Sequence, residues 1–154
     1  MGLDDDIAFF ERVPTLGLLG KHALRILAIG AESRYLPSGT VLFYAGDLAD
    51  AGYIVLEGSL LLEPGTPAEG EEITVGPGTL LGETALLTDT VRTASATALE
   101  PSTVIRISRS LFLRMLESYP GSAKKLRDAL AMRIDQWTRE LAHVKTMINP
   151  DKPR

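Results

Sequence analysis

The spacing of hydrophobic and polar positions changes twice along the chain, and each change marks a different kind of structure. Residues 4–31 carry a helical signal. Asp4, Asp5 and Asp6 suit a helix start, where carboxylates complement the positive end of the backbone dipole. Leu24, Ile26, Leu27 and Ile29 follow as a mostly apolar helical stretch, while Pro14, Gly17, Gly20 and Gly30 cut the region into short pieces.

From Tyr35 to about Ile107 the signal becomes short strands separated by turns. The runs are TVLFY at 40–44, YIVLE at 53–57, SLLLE at 59–63, EEITV at 71–75, TASATAL at 93–99 and STVIRI at 102–107. Between them stand Pro37-Ser38-Gly39, Gly46-Asp47, Glu63-Pro64-Gly65, Gly76-Pro77-Gly78 and Glu100-Pro101. Strands of about five residues at this spacing point to an all-β sandwich or barrel. A jelly roll, the double-stranded β-helix, fits the length.

After Ser108 the helical period returns. Ser110 suits the cap of a short helix through Leu116, which Pro120-Gly121 would end. A longer helix is predicted from about Ser122 to Ile148, spanning on the order of 40 Å. Leu130, Ile134, Trp137, Leu141, Val144 and Ile148 alternate steps of four and three, the spacing of a coiled-coil seam. Such a helix packs on its own domain or on a second copy; its excess length favours a homodimer. The fold class is thus mainly β with flanking helices. It comprises an N-terminal helical segment (1–34), a β-roll (35–108) and C-terminal helices (109–154), in one domain.

Composition narrows the class further. At 154 residues the chain suits one globular domain, and 45% hydrophobic residues suffice for a buried core. The absence of cysteine excludes disulfides, thiolate metal sites and a cysteine nucleophile. The acidic start MGLDDDIAFF is unlike a signal peptide. No apolar run approaches the roughly 18 residues of a membrane span. The expectation is a soluble, cytoplasmic protein.

Charge is unevenly distributed. Residues 1–34 are net −1, residues 35–105 net −9 and residues 106–154 net +6. Arg92 is the single cation of the middle stretch. The basic C-terminal part interleaves Glu117, Asp128, Asp135 and Glu140, which reads as a solvated helix surface rather than a nucleic-acid footprint. His22 and His143 lie in predicted helices, away from the strands. A metal centre or a nucleophile–base constellation therefore has no residues to build it, and an enzyme is not expected.

The chemistry concentrates in residues 81–95, Leu-Gly-Glu-Thr-Ala-Leu-Leu-Thr-Asp-Thr-Val-Arg-Thr-Ala-Ser. Gly82 removes a side chain where backbone approaches something closely. Glu83 to Leu87 suit one helical turn, whose unpaired N–H groups favour an anion. Arg92 adds a planar, permanently charged fork suited to a phosphate. A plainer alternative pairs Arg92 with Glu83 or Asp89 and leaves the glycine to a turn.

This stretch resembles the phosphate-binding cassette of the cyclic nucleotide-binding domain family, with Gly82-Glu83, Ala85 and Arg92 at the matching positions. Tyr44-Ala45-Gly46-Asp47 with Asp50, and Tyr53-Ile54-Val55-Leu56-Glu57-Gly58, are similar to the family's earlier signatures. The likeness covers about residues 10–148. Departures are Leu81 for a common aromatic, Val91 for a common proline and Ser38 within a Pro-Gly turn.

The resemblance implies a regulatory module that binds cAMP or cGMP and needs no further cofactor. Arg92 would hold the cyclic phosphate with the amides of Thr84 and Ala85. Glu83 would take the ribose 2′-hydroxyl, and Gly82 would let the ribose come close. Thr93 matches a position that touches phosphate or guanine in some members, although strand alternation would turn it away from Arg92. Val75 would line the base pocket, with Leu126, Met132 and Arg133 as lid contacts. The alternative is a degenerate relative that only dimerises or docks. Direct DNA binding is not expected unless the chain belongs to a longer protein, since only Asn149–Arg154 follow the long helix.

Overall fold

A computed structural model describes residues 2–132. Helix α1 (Leu3–Glu11) opens on the acidic triplet and buries Ile7 and Phe10. A 3-10 turn (Leu16–Leu18) follows, and α2 (Lys21–Gly30) buries Ala23, Leu24 and Leu27 while Ile29 faces outward. Gly30 lets α2 lie close to the later helix, because a Cβ there would collide with the Leu111 side chain.

The strands run β1 (Glu32–Leu36), β2 (Val41–Phe43), β3 (Leu48–Ala49), β4 (Ala51–Glu57), β5 (Leu60–Pro64), β6 (Ile73–Val75), β7 (Leu80–Leu81), β8 (Thr90–Val91), β9 (Ala94–Ala98) and β10 (Ser102–Ser108). They form one antiparallel sheet in the order β1-β10-β4-β7, a second in the order β2-β9-β5-β6, and a ribbon β3-β8. This is the expected mainly β jelly-roll type with flanking helices.

The six strands predicted from hydropathy are all present. The four not predicted carry little periodic signal: β1 is exposed at four of its five positions, and β3, β7 and β8 have two residues each. Such short pieces are fixed by their partners rather than by their own pattern.

Two hydrophobic clusters hold the layers together. The larger packs α1, α2 and the helix α3 (Arg109–Ser118) against Ile54, Ile105 and Ile107. The smaller fills the space between the sheets with Leu36, Tyr53, Val55, Leu60, Leu81, Ala98 and Val104. Because side chains alternate along a strand, β4 sends Ile54 to one cluster and Tyr53 and Val55 to the other.

Two expectations at the helices are corrected. The cap of α3 is Ser108, not Ser110: Ser108 is extended and its Oγ accepts from Leu111 N at 3.2 Å. Pro120 does not end a helix but opens one. Residues 120–132 are helical, and proline at a first helical position loses no hydrogen bond. Of the predicted seam only Leu130 is among the described residues; Ile134, Trp137, Leu141, Val144 and Ile148 lie outside them, as do Arg133 and His143. Among the described residues no helix is long and apolar enough to cross a membrane.

Candidate functional site

The site grows from the end of β7. Gly82 turns the chain with φ +80°, and a Cβ there would strike Arg92 Nη1 and lie 3.2 Å from Ala51 O. Both the left-handed backbone and the contact require glycine. A 3-10 turn (Thr84–Leu86) follows, closed by Ala85 N→Gly82 O (3.0 Å), Leu86 N→Glu83 O (3.2 Å) and Leu87 N→Thr84 O (3.1 Å). Within the turn the Ala85 amide donates to Gly82 O, and Thr84 stands at its open end beside the cavity.

Arg92 sits in the bend between β8 and β9. The turn Tyr44–Asp47 fixes its main chain: Arg92 N donates to Asp47 O (2.8 Å), and Arg92 O accepts from Gly46 N (2.7 Å). That turn is held by Asp47, whose carboxylate accepts from Tyr44 N at 2.9 Å, and by Gly46 at φ +92°. The early Tyr-Ala-Gly-Asp signature and the late arginine are thus parts of one site.

The Arg92 side chain runs inward and is only 8% exposed. Nη2 donates to Ala51 O at 2.8 Å, and Cζ lies 4.3 Å from the centroid of the Phe43 ring and 5.5 Å from that of Tyr53. The plainer reading of the sequence is not what the structure adopts. Asp89 pairs with Arg109 (2.6 Å), Glu83 Oε2 accepts from Thr15 Oγ1 (2.7 Å), and neither carboxylate pairs with Arg92. Burial pushes the Arg92 guanidinium below its ordinary pKa, while Tyr53, Asp50 and Asp47 push it back. An arginine stays charged in either case.

Arg92 borders a cavity of about 280 Å³. Gly82, Glu83, Thr84 and Ala85 form one side, Arg92 and Thr93 another, and Phe43, Leu62 and Leu81 supply apolar wall. Six of the seven predicted ligand residues are therefore gathered at one opening. Thr93 is among them because it lies in a bend rather than a strand, so strict alternation does not apply. Val75 is not: it pairs with Leu60 and packs on the inter-sheet cluster. Of the lid candidates, Leu126 is 3% exposed within the helical core, and Met132 is 73% exposed.

Three residues of the site had no local signal, or one easily overlooked. Phe43 reads as an ordinary strand apolar residue. Thr15 is the one non-glycine residue at positive φ (+78°) among those described, and it joins the N-terminal helices to Glu83. Arg109 opens α3, donating to Ala85 O (2.9 Å), Asp89 and Ala49 O. A cation in the first turn of a helix opposes the dipole, and that was its available clue.

Comparison with known proteins places the fold in a family. Residues 33–119 match the model of the cyclic nucleotide-binding domain. The cyclic AMP receptor protein of Thermus thermophilus is 36% identical over 113 residues, covering 71% of this chain and 52% of that protein, so the chain spans about half of that relative's length. A cyclic nucleotide-binding-like protein from Brucella abortus has a solved structure of 42% identity and TM-score 0.63, over 74% of this chain and 99% of that one. The N-terminal domain of a transcriptional regulator from Streptomyces coelicolor superposes with TM-score 0.77 at 29% identity, over 86% of this chain and 94% of that one.

Proposed function

This chain belongs to the cyclic nucleotide-binding domain family, and from that premise we propose that it is a regulatory module that captures cAMP or cGMP. The observation that carries this reading is a buried guanidinium at the cavity without an ion-pair partner among the described residues. In a stretch that is otherwise acidic, that charge and the Thr84 amide favour one negative group at short range. A cyclic phosphate meets the fork of Arg92 and the open end of the 3-10 turn. Glu83 takes the ribose 2′-hydroxyl, and Gly82 allows the sugar to approach the backbone. Nothing in this scheme requires catalysis.

The signal leaves through Arg109, which bonds Ala85 O and Asp89 of the cassette from the first residue of α3. A ligand shifts α3 only as far as it prefers one arrangement of that turn over another. Titration calorimetry with cAMP and with cGMP tests the reading. Wild type is expected to bind at least one of them, and Arg92→Ala to weaken binding by about tenfold to a hundredfold, since hydrogen bonds to charged groups contribute about 1.5–3 kcal/mol. No uptake of either nucleotide by wild type at millimolar concentration overturns it.

A further inference from the structure

We propose that Phe43 is a positioning residue for anion capture: its ring face carries the Arg92 guanidinium and holds it at the cavity without neutralising it. The inference rests on the cyclic nucleotide reading given above and deepens it. A buried arginine normally needs a carboxylate, because isolated charge in a low-dielectric setting is costly. A carboxylate here would take the in-plane N–H donors of the fork and cancel the charge that recommends the site. An aromatic ring does neither. It attracts the cation from the perpendicular direction, and the donors in the guanidinium plane stay available.

The geometry fits this division of labour. Cζ lies 4.3 Å from the Phe43 centroid, well inside cation–π range. Phe43 stands beside Tyr53, with centroids 5.9 Å apart, and the guanidinium lies against both rings, closer to Phe43 than to Tyr53 at 5.5 Å. On the plane of the fork, Nη2 is donated to Ala51 O. Arg92 lines the cavity, and none of its nitrogens is fully buried without a partner. Gly82 closes the other side at a distance that excludes a side chain. Ring, carbonyl and glycine together fix where the charge sits.

The test compares wild type, Phe43→Leu and Phe43→Trp with cAMP and cGMP by calorimetry, with thermal melts alongside. Phe43→Leu keeps apolar bulk but removes the π face, and is expected to weaken binding about tenfold to thirtyfold, the loss of a desolvated cation–π contact. Phe43→Trp is expected to recover most of it. A series of singly, doubly and triply fluorinated phenylalanines at position 43 guards against a folding defect, since fluorine drains the ring face with little change in shape. Affinity is expected to fall stepwise along that series at constant melting temperature, and Phe43→Leu to have no added effect in an Arg92→Ala background. Wild-type binding with an unchanged affinity in Phe43→Leu, or a flat fluorine series, overturns the role of Phe43 alone. A wild type that binds neither nucleotide removes the binding function, and this inference with it.

Discussion

The two four-stranded sheets share an antiparallel plan and differ in what covers them. The sheet β1-β10-β4-β7 lies between the helices and the opposite sheet, and its central strand β4 is buried from Ala51 through Val55. The sheet β2-β9-β5-β6 packs on one side only. Its strand β2 is half-buried throughout, and β6 has one half-buried position, Val75. The doubly covered sheet therefore carries the stability, while the singly covered one has positions to spend on a cavity wall. Phe43 and Leu62 come from it. Arg92 crosses from one to the other: its main chain lies beside β9 of the second sheet, and its fork reaches Ala51 at the start of β4 in the first.

Four substitutions test that contrast. The largest effect is expected at Ile54, which is 0% exposed on the helix-facing side of β4. Ile54→Ala should lower the unfolding free energy by about 2–5 kcal/mol in a denaturant titration. Gly82→Ala acts at the junction between the sheets. A side chain at φ +80° against Arg92 should cost about 1–3 kcal/mol of stability and displace the fork, with cyclic nucleotide affinity falling along with it. Val75→Ala, on the edge strand of the singly covered sheet, should cost about 1 kcal/mol and leave binding unchanged. An equal loss at Val75 and Ile54 would erase the distinction between the sheets.

The smallest effect is expected at Asp89. Its carboxylate is almost fully exposed although it pairs with Arg109 at 2.6 Å. Exposed pairs contribute little, so Asp89→Asn should shift the melting midpoint by the equivalent of no more than about 0.5 kcal/mol. A larger shift would mean that the tie between cassette and α3 rests on the ion pair rather than on the carbonyls of Ala85 and Ala49.

The legible parts of the fold were those whose signal is local. Strands β4, β5 and β10 announce themselves by apolar runs between Gly and Pro turns, Gly82 by the close backbone approach that needs no side chain, and Arg92 by a fork suited to an anion. What stayed hidden was partnership. The sequence offers Glu83 and Asp89 as neighbours for Arg92 only nine and three residues away. The structure instead gives it Ala51, 41 positions earlier, and the ring of Phe43. Thr15 reaches Glu83 across 68 positions.

By itself, then, the sequence determined the order of helices, roll and helices, the turns that need glycine, and the placement of one cation in an acidic stretch. Each of these follows from backbone sterics, side-chain periodicity or charge, which act over a few residues. The tertiary structure alone decided which face of β4 meets the helices and that an aromatic ring rather than a carboxylate stands against Arg92. Those outcomes depend on strand pairing and on burial. Only when distant segments exclude water together does an unpaired guanidinium become costly enough to need a ring beneath it.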